Sequence, residues 1–109
     1  MLQPIPLQRL IALQHADGSW GLTAAFAVAI GRTLAELDKA LIGVAGSTTA
    51  SRQAWATALA VASLERNAAD AAAEWRLLAD KARRWLDGLG SVRPGGRSWL
   101  EAARAELTG

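Results

Sequence analysis

From Trp75 onward, apolar side chains return every three or four positions, at Trp75, Leu78, Ala82, Trp85, Leu86 and Leu89. That spacing gathers them on one face of an α-helix, because about 3.6 residues complete a turn. Upstream, Trp55, Ala58, Leu59 and Ala62 fall in phase, widened by Val61 and Leu64. They predict a long buried helix from about Ser51 to Arg66, whose many alanines let a neighbour approach closely. Between the two lies NAAD, with Asn67 and Asp70 as candidate N-caps.

Earlier in the chain the pattern is shorter. Pro4 or Pro6 suits a first helical turn, and Leu7, Leu10, Ile11 and Gln14 then share a face that stops before Asp17-Gly18. Thr23 to Ile30 predicts a short apolar helix ended by Gly31, the residue that most easily takes a left-handed cap. Thr33 followed by Glu36 has the spacing of a capping box, in which each side chain satisfies a free backbone N–H of the other. Leu34, Leu37 and Leu41 continue that helix to near Gly43. The segment VAGSTTASR is small and polar, a surface connection or loose helix start. After the helix that ends between Asp87 and Gly90, SVRPGGR forms an irregular link. Ser98 with Glu101 repeats the capping-box spacing and opens a last helix carrying Trp99, Leu100, Ala103 and Leu107.

These segments predict an all-α protein, a compact bundle of five or six helices with a long antiparallel central pair, the fourth and fifth, joined by NAAD. Residues 1–90 form a helical interaction domain; residues 91–109 are a glycine-containing link and a short helix packing on it or extending from it. Trp55, Trp75 and Trp85 lie in phase with leucines and belong to the core. Trp99 either folds back on the bundle or stays available to a partner.

Composition narrows the function. With 109 residues, 51% of them hydrophobic and 20% charged, the chain is sized for one folded core. No apolar run approaches the roughly 20 residues that span a bilayer. MLQPIPLQRL lacks the pattern of a secretory leader, so a cytoplasmic location is expected. The absence of cysteine excludes disulfides and thiolate metal sites. Charge is uneven: from Arg76 to Arg97 six cations (Arg76, Lys81, Arg83, Arg84, Arg93, Arg97) face two anions (Asp80, Asp87). Asp80 lies four residues before Arg84, a spacing that favours an ion pair on a solvated face over a nucleic-acid stripe.

No constellation argues for catalysis, a metal or another cofactor. His15 has no second histidine or cysteine to complete a zinc site. Ser19, His15 and Asp17 are crowded into one turn with nothing to supply an oxyanion hole. Phosphate-binding glycine motifs are missing, since Gly95-Gly96 lies in a link. In QHADGSW, Asp17-Gly18 supplies a tight turn, Gln14 bonds exposed backbone groups and Trp20 covers the helix end, a structural clasp.

QHADGSW, Gln14 to Trp20, is similar to the QW element of terpene and squalene cyclases, but a single copy without an aspartate-rich acid does not make a cyclase. A wider resemblance runs through LQRLIALQHADGSWGLT, AWATALAVASLE and EWRLLADKARRWL, over about residues 7 to 88. In that order these stretches resemble the C-terminal helical module of proteins with a VIT domain and a von Willebrand factor A domain. The module is also similar to the region through which vault poly(ADP-ribose) polymerase attaches to the major vault protein. Ser63 departs from it, standing where a bulky aromatic is expected, and Ser91 to Gly109 have no counterpart. The resemblance implies a non-catalytic docking module without cofactor or metal, whose partner is another protein, the major vault protein or a similar shell protein. A small basic nucleic-acid-binding domain is the alternative. Arg83, Arg84, Arg93, Arg97 and Trp99 are the expected partner surface; Gln14, Asp17, Gly18, Trp20, Trp55, Trp75 and Trp85 are the expected structural set.

Overall fold

Eleven consecutive residues, Ala54 to Leu64, are buried in the computed structural model of the chain, which describes residues 7–44, 49–88 and 99–108. They belong to α4 (Thr49–Asn67), a 19-residue helix about 28 Å long at ~1.5 Å per residue. A helix buried on every side needs neighbours all round it. The other elements are α1 (Leu7–Ala12), α2 (Ala24–Ala29), α3 (Leu34–Val44), a 3-10 turn (Ala69–Ala71), α5 (Ala72–Asp87) and α6 (Trp99–Thr108). No strand occurs among the described residues, and the fold is all-α. α4 packs most extensively on α6, then on α5, with α3 beside it. α4 is therefore the central helix, and α5, the other long helix, is paired with it.

Small residues decide how close those partners come. Ala54, Ala56, Ala58, Ala60 and Ala62 are each at most 3% exposed, so α4 presents a thin cylinder. Tryptophans from the surrounding elements and from α4 itself fill the space left by those methyl groups. Trp20 is fully buried, and its indole Nε1–H donates to Leu10 O at 2.9 Å. Trp55 donates to Leu37 O at 3.2 Å and Trp75 to Ala68 O at 2.7 Å. Each ring thus fills volume and also hydrogen-bonds a carbonyl on a different element, which a buried indole N–H requires. Trp99, 4% exposed, lies against Trp55 with ring centroids 6.5 Å apart and planes tilted by 54°. Trp85 is the exception among the expected core rings. It is only half-buried, because it lies about 80° from Trp75 on the helix, at the edge of the buried stripe.

Helix ends follow the sequence in two places and depart from it in two. Thr23 Oγ1 caps α2 by accepting from Phe26 N at 3.1 Å. At the other end Gly31 (φ +76°) turns the chain, with Gly31 N–H donating to Val28 O and Arg32 N–H to Ala27 O, the paired bonds of a Schellman stop. At α3 only half of the expected box forms. Glu36 N–H donates to Thr33 Oγ1 at 3.2 Å, but the Glu36 carboxylate takes the Thr33 hydroxyl instead of a backbone N–H. Asn67 and Asp70 do not cap α5. Asn67 closes α4, Asp70 lies within the 3-10 turn, and α5 starts behind Ala71 without a side-chain cap. The backbone there serves itself, with Ala68 N–H bonded to Leu64 O and Ala71 N–H to Ala68 O, so a cap is not needed. Ser98 and the links 45–48 and 89–98 lie outside the described residues.

Burial ranks the tryptophans energetically. Trp55→Ala should lower the unfolding free energy by about 3–5 kcal/mol, measured by urea denaturation, because a filled site is emptied and cannot collapse. Trp85→Ala, at the half-exposed edge, should cost less than half as much.

Candidate interaction surfaces

The QHADGSW stretch folds into a clasp that ties three helices together. Gln14 sits just past α1, and its Nε2 donates to Gly18 O at 2.9 Å within the turn and to Leu78 O on α5 at 3.1 Å. Trp20 N–H donates to Thr57 Oγ1 on α4 at 2.9 Å. Gly18 is required twice over. Its φ is +99°, and a Cβ there would stand 2.8 Å from Lys81 Cγ and 3.0 Å from Lys81 O. The turn therefore rests on the backbone of α5.

Ser19, Asp17 and His15 do come together, but in an order that differs from a nucleophile relay. Ser19 Oγ donates to Asp17 Oδ1 at 2.6 Å, accepts from Gln53 Nε2 at 2.7 Å and lies 3.3 Å from His15 Nδ1. In a relay the imidazole stands between the carboxylate and the hydroxyl. Here the fully buried Ser19 is the hub and its proton is committed to the carboxylate. The bonds from the Ser19 hydroxyl and backbone N–H hold Asp17 below the ordinary carboxylate range.

A second cluster is built around Glu65, near the C-terminal end of α4. Arg104 of α6 grips it through both oxygens, with Nε to Oε1 at 3.0 Å and Nη2 to Oε2 at 2.9 Å. Arg83 of α5 donates to Oε2 at 3.1 Å and to Asp80 Oδ1 at 3.0 Å. Burial pushes the Glu65 carboxyl up, but the hydrogen bonds and charges of Arg104 and Arg83 outweigh it and leave it below its ordinary value. Beside this cluster an open cavity of about 280 Å³ is lined by Ala62, Glu65, Arg66, Arg104 and Leu107.

The residues expected to form a partner surface therefore separate. Trp99 is in the core against Trp55, since its helix folds back on α4, and it offers no exposed anchor. Arg83 reaches across α5 to Glu65 and takes Asp80 on the way, so the expected Asp80–Arg84 pair does not form. Arg84 is exposed with no hydrogen-bond or ion-pair partner among the described residues. Arg93 and Arg97 lie outside the described residues. Of the structural set, Gln14, Asp17, Gly18, Trp20, Trp55 and Trp75 act in packing or turn bonds, and Trp85 packs at the core's edge.

One exposed apolar side chain was missed by the pattern. Leu77 is 79% exposed, about 200° around α5 from Trp75 at ~100° per residue. Ala73, Lys81 and Arg84 share that outward face, and Arg76 precedes it. Its signal was present in the sequence as a leucine out of phase with the stripe of Trp75, Leu78, Ala82 and Leu86. On α2 the outward face is uncharged, with Ala24, Ala25 and Val28 exposed.

The chain is 39% identical, over 89 residues and 79% of its length, to von Willebrand factor A domain-containing protein 5A of Rattus norvegicus. It is 36% identical, over 89 residues and 81% of its length, to the protein of the same name from Homo sapiens. Those stretches are 10% and 11% of the two relatives, so the chain spans about a tenth of their length. No family model matches the chain. No solved structure matches it.

Gly18→Ala should destabilise the protein by more than about 2 kcal/mol, since it meets both a left-handed backbone and the backbone of α5. Gly31→Ala, with open space around its Cβ, should cost only the ~1–2 kcal/mol of the backbone conformation; thermal melts compare the two. Glu65→Gln should cost on the order of 1 kcal/mol at pH 7, a figure reduced by solvent screening at half-exposed Arg104. Glu65 is held below its unfolded value near 4.5, so its stabilisation is full above that pH and fades as pH falls through the folded value. Urea midpoints of wild type and Glu65→Gln should therefore converge below about pH 4.5.

Proposed function

We propose that this chain is a non-catalytic docking module of a von Willebrand factor A domain-type protein, which binds another protein through the outward face of α5. The observation that carries the reading is Leu77. A large aliphatic side chain 79% exposed on a helix whose Leu86 is buried and whose Leu78 is half-buried is what an apolar anchor looks like before its partner arrives. Arg76, Lys81 and Arg84 surround it, exposed and without partners among the described residues, and are suited to steer and orient an acidic surface. Similarity to a segment of a much longer protein supports a module that works beside other domains.

The finer identity of the partner rests on the resemblance alone. A shell-forming protein such as the major vault protein is the partner class it supplies, met in the cytoplasm, where a cysteine-free chain is suited to reducing conditions. Catalysis has no place in the proposal. The one Ser-His-Asp grouping is consumed in holding the turn at residues 15–19.

The test is to capture proteins on the immobilised chain, purify the stoichiometric partner and titrate it against wild type and Leu77→Asp. Wild type should bind saturably and Leu77→Asp at least tenfold more weakly, with circular dichroism and melting temperature unchanged, because the site is exposed. No saturable partner, or equal binding by both proteins, would sink the reading. Binding of an oligonucleotide with an affinity that falls steeply with salt would put the nucleic-acid alternative in its place.

A further inference from the structure

We infer that the open groove between α4 and α6 is a second binding site, which takes a peptide segment carrying a carboxylate beside a branched aliphatic side chain. It lies apart from the outward face of α5 and does not rest on the docking role of Leu77. α4 contributes Ala62, Glu65 and Arg66 at helical spacings of three and four; α6 contributes Arg104 and Leu107 three apart. Each helix therefore shows one face to the same space. The methyl of Ala62 and the half-buried Leu107 make the apolar part of the wall, and a volume of about 280 Å³ holds a side chain or two. That is below the ~300–1,000 Å³ usual for a whole small molecule.

Charge selects the occupant. Among the described residues the lining holds two guanidiniums against one carboxylate, and both oxygens of that carboxylate already accept from Arg104, with Arg83 adding a third cation behind it. Glu65 is therefore neutralised within the fold and leaves little repulsion for an incoming anion. Arg66 is exposed on the rim with no hydrogen-bond or ion-pair partner among the described residues. A guanidinium in that state matches a carboxylate by its two parallel N–H donors. The aliphatic wall then takes the neighbouring side chain. Nucleic acid fits less well, because single-stranded bases bind by stacking on aromatic rings and the described lining residues include none.

The full chain, isotope-labelled for amide NMR, is titrated with three capped tetrapeptides: glycine-aspartate-leucine-glycine, the same with asparagine for aspartate, and the same with alanine for leucine. The aspartate-leucine peptide should give saturable shifts at residues 62–66 and 104–107. Its affinity should fall about tenfold with Arg66→Gln or with asparagine in the peptide, the loss expected when a charge-assisted bond is removed. Alanine in place of leucine should also weaken binding severalfold. Arg76→Gln, an equal change of charge elsewhere, and Leu77→Asp should both leave the affinity unaltered. Shifts that never saturate or that fall elsewhere would overturn the inference. So would equal loss in Arg66→Gln and Arg76→Gln, or a groove filled by a single-stranded oligonucleotide in preference to the peptide.

Discussion

A helix buried on all sides sets the terms for everything around it. α4 carries alanine at every second position from Ala54 to Ala62, and neighbours come close because these side chains are short. Close approach alone would leave gaps between rods, and the tryptophans fill them. Their indole N–H groups then impose a second condition, since each needs an acceptor in a place without water. Leu10 O, Leu37 O and Ala68 O meet it for Trp20, Trp55 and Trp75. Three rings thus fix where α1, α3 and the turn before α5 sit, and Trp99 brings α6 onto Trp55.

Periodicity made most of this architecture legible. α5 was readable because Trp75, Leu78, Ala82 and Leu86 recur on one face, and α4 because its apolar run is long and free of glycine and proline. Gly31 announced the end of α2 because a left-handed stop suits glycine. What the pattern could not supply was pairing. Whether Trp99 was core or surface depended on the path of α6, and nothing local to Trp99 encodes that path. The same gap explains Arg83, whose partner Glu65 lies on another helix. Asn67 and Asp70 have the chemistry of caps, yet the chain at 68–71 closes its own hydrogen bonds through a 3-10 turn, and chemistry without geometry misassigned them.

The candidate sites show the same division. A basic second half was visible as charge along the chain, but the fold sorts those cations into separate uses. Arg83 and Arg104 lock α5 and α6 to α4 through Glu65, while Arg66, Arg76 and Arg84 remain on the surface. Lys81 lies exposed on α5 beside Arg84. Likewise the glutamine and tryptophan of QHADGSW are engaged in holding a turn against α5, and its serine, aspartate and histidine meet around a buried hydroxyl. These side chains are engaged within the scaffold.

Amide hydrogen exchange along α4 tests this account at its root. If α4 is the element that all others depend on, the amides of residues 56–64 should exchange only through global unfolding, with opening free energies equal to that from urea denaturation. Exchange there through a partial opening, while amides of α5 or α6 stay protected, would contradict it.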